Sequence, residues 1–293
     1  MVDGAQRLIA EGHGIDFGMV SVPTDNAAAD QVIASATSWR RYQLDGRHNW
    51  FSVKTDQATF VSEVDVENRY SQVLGQIPQY DSAGNLRAFE DASLTHDPFN
   101  QIATITANGV TTEIHRDGLG RIVGATDSLG RNVAWGYHGT ARVATFETGG
   151  SASGSIRVLV PGGTIDQTLF TIQDGAITYL HQGRDNSPHV AMTGMGSVAE
   201  VYQYTAYGQR DVLDSSGSPV SEGVLDISFQ GRPHLPLNPA SVEMADFRHR
   251  TYLPTLGRFT SLDPIGILAG SNRYAFESIL RGRRQAPPSV AFV

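Results

Sequence analysis

The chain has 293 residues, no cysteine and a formal net charge of −8, from 22 Lys and Arg against 30 Asp and Glu. The lack of cysteine excludes disulfide scaffolds, thiolate zinc sites, iron–sulfur clusters and cysteine nucleophiles. The acidic balance argues against nucleic acid as a main partner, and no apolar run approaches the ~18 residues of a membrane span. Glycine, at 31 of 293, exceeds the usual ~7%, and charged residues, at 18%, fall below the usual ~25%.

In chain order, the N-terminus carries only Arg7-Leu8-Ile9-Ala10, too short for the apolar core of a signal peptide. The stretch Ala27 to Ser38 is the one place where a helical pattern can be entertained. After it, short alternating runs rich in β-branched and aromatic residues take over. Examples are Ile102 to Thr106, Val133 to Tyr137 and Ala199 to Tyr204. Such runs, bounded by Gly, Asp, Asn or Ser, predict strands, and their recurrence predicts an all-β chain.

A five-residue signature separates many of these runs: Asp, two variable residues, then Gly, Asn or His, then Arg, Asn or Gln. It starts at Asp45, Asp65, Asp81, Asp97, Asp117 and Asp127, in steps of 20, 16, 16, 20 and 10. Its fourth position includes Gly84, Gly120 and Gly130, and its fifth includes Arg121 and Arg131. A degenerate copy begins at Thr205. Asp accepts hydrogen bonds from amides about two residues on, and the Gly or Asn position tolerates positive φ. The signature therefore predicts a hairpin corner, with the fifth, polar residue starting the outgoing strand on its solvent side. Strand, turn and returning strand together take about 16 to 20 residues.

These residues resemble the YD repeats of bacterial Rhs proteins and teneurins, most clearly at Tyr80-Asp81-Ser82-Ala83-Gly84-Asn85. Further on, the run from Phe247 to Phe259, ending Leu256-Gly257-Arg258-Phe259, resembles the Rhs repeat-associated core. Asp263-Pro264-Ile265-Gly266 follows, then Gly270-Ser271-Asn272-Arg273-Tyr274. The resemblance implies stacked antiparallel β-hairpins forming part of a spiralling β-shell. It divides the chain into a degenerate repeat or linker (1–41), a YD-repeat shell segment (42–225), a core-like segment (226–276) and a divergent tail (277–293).

In bacterial members such a shell encloses a C-terminal toxin, so the implied partners are the rest of the shell and that toxin. An extracellular or cell-surface setting is implied as well. A teneurin-like adhesion module, binding surface glycan or protein, is the alternative. In many relatives the core also cuts the chain by an aspartate-dependent step. Asp263 matches the first aspartate of that machinery, but the second Asp-Pro-x-Gly-Leu motif is missing and Glu277 is the only acid after Pro264. Leu262 stands where many relatives carry Arg. A catalytic carboxylate pair needs two carboxylates, so Asp263 reads as a turn cap and the chain as a non-enzymatic fragment, truncated or frameshifted at its C-terminus. No cofactor is implied.

Other chemistry finds little support in the residues. None of the nine histidines has metal-binding spacing, and His48, His96, His115 and His138 read as polar residues at or beside turns. Gly118-Leu119-Gly120 with Gly124 misses the dinucleotide-loop spacing. Arg281, Arg283 and Arg284 read as a solvated tail, and Trp50 and Trp135 as residues lining a sheet interior.

Overall fold

A computed structural model describes residues 10–13, 38–149, 154–221, 223–235 and 243–276. The stretch 27–37 and the tail from Glu277 onward lie outside the described residues. The described residues contain no α-helix; they form antiparallel strands with two short 3-10 turns. The chain divides into two compact units, Met1–Tyr80 with Ile265–Val293, and Asp81–Pro264.

In the first unit, Ala10–His13, Ser38–Leu44, Trp50–Thr55 and Thr59–Val61 form a four-stranded antiparallel sheet, and Glu63–Val64 pairs with Tyr70–Gln72. Tyr42, Trp50, Val53, Tyr70 and Val73 are buried there. The rings of Tyr42 and Trp50 lie 5.0 Å apart, and the Trp50 amide donates to the Tyr70 hydroxyl at 2.8 Å.

A 14-stranded sheet runs in strict chain order from Gln79–Tyr80 to Arg210–Asp214, every strand antiparallel to its predecessor. The predicted runs lie in Ile102–Ala107, Asn132–His138 and Val198–Tyr204. Strand periodicity of two sorts the side chains onto two faces. In Val110–Arg116, for example, Val110, Thr112 and Ile114 are buried and Thr111 and Glu113 exposed. Buried Leu159, Leu180, Ala191, Tyr202 and Val212 pack with Leu225 and Ile227 into one core cluster.

A meander places successive turns on alternate edges of the sheet. The corners at Asp81, Asp97 and Asp117 share one edge, and the corner at Asp127 lies on the opposite edge, one strand later. This explains the step of 10: it is a single strand and its turn, where the steps of 16 and 20 are whole hairpins.

Candidate functional site

All six aspartate corners fold alike. At each, the Asp amide bonds to the carbonyl of the fifth residue and the fourth amide bonds back to the Asp carbonyl, at 2.8–3.1 Å. One Asp carboxylate oxygen accepts from the third and fifth amides at 2.8–3.0 Å. The fourth residue takes positive φ throughout: 64° at His48, 66° at Asn68, 87° at Gly84, 60° at Asn100, 78° at Gly120 and 86° at Gly130. Burial pushes the Asp65 and Asp81 carboxyls up, but the amides and the Arg69 or Asn85 side chain outweigh it and hold both below the usual carboxylate range.

The fifth side chain behaves differently from its predicted solvent-side place. Asn49 and Asn85 are 1% and 2% exposed. Each donates to its own Asp and then to the fourth residue of the next corner, Asn49 Nδ2 to Asn68 Oδ1 at 3.1 Å and Asn85 Nδ2 to Asn100 Oδ1 at 2.9 Å. The Gln101 amide lies against Gly120, and Arg121 donates to the Gly139 carbonyl at 2.6 Å. At Asn49, Asn85, Gln101 and Arg121 the fifth position thus reaches the next hairpin. At Asn49 and Asn85 the fourth residue of the neighbouring corner faces the side chain, and the position is buried.

Corners of the same build recur where the signature is incomplete. Asp214, Thr205, Thr193 and Ser228 each show the paired backbone bonds. At Thr205 and Thr193 the side-chain hydroxyl accepts the fifth amide in place of a carboxylate. Only Thr205 was visible in the sequence; at the others the shared requirement is a positive φ, which Gly217, Gly196 and Gly231 meet.

The core-like residues form two sites, one in each unit. In the first unit, Asn272 is 4% exposed. Its Nδ2 donates to the Arg47 carbonyl at 2.9 Å and to Asn49 Oδ1 at 2.8 Å, and Asn68 donates to the Ser271 carbonyl at 3.1 Å. The Gly270–Tyr274 stretch therefore completes the polar row of the Asp45 and Asp65 corners. Tyr274 is fully buried, its ring edge-on to Tyr80 at 6.0 Å. Gly266 has φ 71° and opens a short 3-10 turn to Ala269.

In the second unit, residues 223–235 and 243–263 lie against the buried face of the 14-stranded sheet. Asp226 is held by Arg142 at 2.7 Å and Arg157 at 3.2 Å, with Thr145 donating at 2.9 Å. Burial raises the Asp226 carboxyl, but these two guanidinium charges win and leave it well below the usual range. The Gln230 amide donates to Ser187 Oγ at 2.8 Å. Arg232 and Arg248 reach Asp166 at 3.3 and 2.6 Å. Glu243 accepts from Ser228 at 2.7 Å and faces His234 at 3.2 Å and Arg210 at 3.8 Å. Burial pushes the Glu243 carboxyl up and the His234 imidazole well down.

The segment ends in a three-stranded sheet, Ala245–Asp246, Thr251–Leu253 and Arg258–Phe259. Gly257, at φ 62°, turns the hairpin, and Arg258 and Phe259 are buried at 3% and 1% exposure. The Tyr252 hydroxyl donates to the Tyr207 carbonyl at 2.8 Å, near the end of the long sheet. The Thr260 carbonyl accepts the Leu86 amide at 2.7 Å, near its start.

Asp263 is 6% exposed and forms an ion pair with Arg250 at 2.8 Å. Arg250 also lies 3.6 Å over the Phe259 ring, and its burial lowers the guanidinium to about 10. Among the described residues no group of three or more His, Asp and Glu could hold a metal. His115 is the next-to-last residue of the strand Val110–Arg116, beside the Asp117 corner, and its Nε2 is 3.0 Å from Thr126 Oγ1. Gly120 is a corner and Gly124 a strand residue whose Cβ would meet the Val133 carbonyl oxygen at 2.2 Å, so this glycine pair cradles no phosphate. Trp50 and Trp135 are buried, out of reach of a surface glycan.

No family model and no curated protein matches the sequence. Solved structures do. A TcdB2–TccC3–Cdc42 crystal structure matches with a TM-score of 0.67 at 15% identity, over 95% of this chain and 15% of that one. TcdB2–TccC3 without its hypervariable C-terminal region matches at 0.62 and 16%, over 82% and 13%. The Photorhabdus luminescens Tc holotoxin pore with a mutated TccC3 matches at 0.64 and 14%, over 87% and 13%. The chain has the Rhs-type β-shell fold. It spans about one-seventh of the length of the chains it matches.

Proposed function

We propose that this chain is a structural segment of an Rhs-type YD-repeat shell, serving a protein that encloses or presents a C-terminal toxin. The observation that carries this reading is the strap of residues 223–235 and 243–263, which touches the long sheet from Leu86 near its start to Tyr207 near its end. A strap of that reach braces the sheet along its length, as the wall of a shell requires. The likeness to TcdB2–TccC3 chains, one of which was solved without a hypervariable C-terminal region, supports the same reading.

We propose further that the segment is not an enzyme. The Asp263 carboxylate is engaged in a buried ion pair with Arg250, and the sequence carries no second Asp-Pro-x-Gly-Leu motif to pair with it. The test is cryo-electron microscopy of the full gene product, with its mass measured on a denaturing gel. A wall enclosing further chain, with no cut near Asp263, agrees with the proposal. An open sheet enclosing nothing, or a self-cut chain that Asp263→Asn restores to full length, refutes it.

A further inference from the structure

An aspartate or asparagine followed by glycine can react with its own backbone. Glycine has no side chain to shield its amide nitrogen from the preceding side-chain carbonyl carbon, and its backbone rotates freely. Among the described residues the dipeptide occurs at Asp45-Gly46, Asn108-Gly109, Asp117-Gly118 and Asp174-Gly175. A Cβ at any of these four glycines would meet nothing within 4 Å, so crowding does not separate them. The residue before the glycine does.

Asp45 and Asp117 open corners. Each carboxylate accepts from the third and fifth amides at 2.8–3.0 Å. Each residue's own amide and carbonyl are bonded within the corner as well, at 2.9–3.1 Å. Attack by the glycine nitrogen needs the carboxyl to leave those amides, and so the corner to open.

Asn108 and Asp174 stand instead at the tips of hairpins, in two-residue turns between the pairs Ala107–Val110 and Gln173–Ala176. Both residues of each turn take positive φ, 50° and 75° at Asn108-Gly109 and 52° and 81° at Asp174-Gly175. That is the tight turn that suits the twist of a hairpin. Both tips are exposed, and no hydrogen bond among the described residues holds the Asn108 or Asp174 side chain. An exposed tip opens locally at small cost while the ladder beyond it stays paired.

We propose that Asn108 and Asp174 are sites of self-modification to isoaspartate, and that the aspartate corners shield Asp45 and Asp117 from the same reaction. The glycine nitrogen bonds to the side-chain carbonyl carbon and gives up its proton. At Asn108 the bond from that carbon to the side-chain nitrogen breaks and ammonia leaves; at Asp174 the protonated carboxyl loses water. Water then opens the succinimide ring. Opening at the main-chain carbonyl leaves the backbone running through the side chain, longer by a methylene. The carboxylate bonds that shape a corner therefore also protect its chain.

The test incubates the full chain folded and, in parallel, unfolded in guanidinium chloride. Neutral pH serves for Asn108 and mildly acidic pH, with the circular dichroism spectrum still native, for the Asp-Gly pairs. Peptide mapping with fragmentation that distinguishes isoaspartate from aspartate reads each site. In the folded chain, isoaspartate is expected at least roughly tenfold faster at Asp174 than at Asp45 or Asp117, the factor for about one hydrogen bond broken before reaction. Asn108 is expected to deamidate ahead of every other asparagine. In guanidinium the three Asp-Gly pairs should converge on one rate. Equal rates at Asp174, Asp45 and Asp117 in the folded chain overturn the proposal. So does a difference that survives unfolding, which would belong to the local sequence, or an Asn108 or Asp174 that reacts only in the unfolded chain.

Discussion

The backbone amide of Leu86 donates to the carbonyl oxygen of Thr260 at 2.7 Å, joining the start of the long sheet to the last hairpin of the strap. With Tyr252 bound to the Tyr207 carbonyl, that hairpin touches both ends of the sheet. A meander of hairpins is held only by its neighbours; a strap bonded near both ends adds long-range contacts that the repeats alone lack.

Arg250 and Asp263 anchor that hairpin. Both side chains are 5–6% exposed, so removing one leaves a buried charge. Arg250→Met is expected to cost about 3–5 kcal/mol, and Arg250→Met with Asp263→Leu much less, because the pair leaves together. Urea denaturation of the two variants checks this; equal losses in both would contradict it.

Asn272 serves two acceptors at once, the Arg47 carbonyl and Asn49 Oδ1. Asn272→Ala strands buried partners and is expected to cost about 1–3 kcal/mol. Hydrogen exchange should rise at the Asp45 and Asp65 corners in this variant, while the corner at Asp117 keeps its wild-type protection.

Two glycines at the same corner position separate strain from crowding. Gly217 has φ 84° with open space around it, whereas Gly231 has φ 69° and a Cβ there would lie 2.0 Å from the Asp166 carbonyl oxygen. Gly217→Ala is expected to cost about 1–2 kcal/mol, the backbone strain alone. Gly231→Ala should cost clearly more, because backbone must move. Melting curves giving the two equal losses would show that the Asp166 contact is relieved without cost.

His234 gives the strap a pH dependence. Burial, then the Arg210 and Arg142 charges, keep its imidazole neutral well below its usual value, with Asp226 opposing. The unfolded chain takes up that proton near pH 6.5, the folded chain much lower. The unfolded state thus binds more protons below about pH 6.5, and stability falls as the pH drops. Glu243, raised by burial, acts with the opposite sign, since the folded chain holds its proton longer. His234→Gln should flatten the loss of unfolding free energy between about pH 7 and pH 5. An unchanged slope would place the titration elsewhere.

The corners were legible because their chemistry is local. Asp accepting amides two and four residues on needs no distant partner, so Asp45 to Asp127 stand out in the sequence. The Thr193 and Ser228 corners did not, since a hydroxyl or a lone positive φ suffices there. The inward turn of Asn49 and Asn85 was hidden because it depends on the next corner, a hairpin away. The strap was hidden too: Arg142 and Asp226 are 84 residues apart, with no period linking them. Even the step from Asp117 to Asp127 became intelligible only once the two edges of the sheet were distinguished.

The strap is tested most directly by hydrogen exchange at the Leu86 amide, in the full chain and in Arg250→Met. The account predicts slow exchange at Leu86 in the wild type, comparable to the central strand Ile122–Asp127, and faster exchange in the variant with the central strand unchanged. Rapid exchange at Leu86 in the wild-type chain would contradict it.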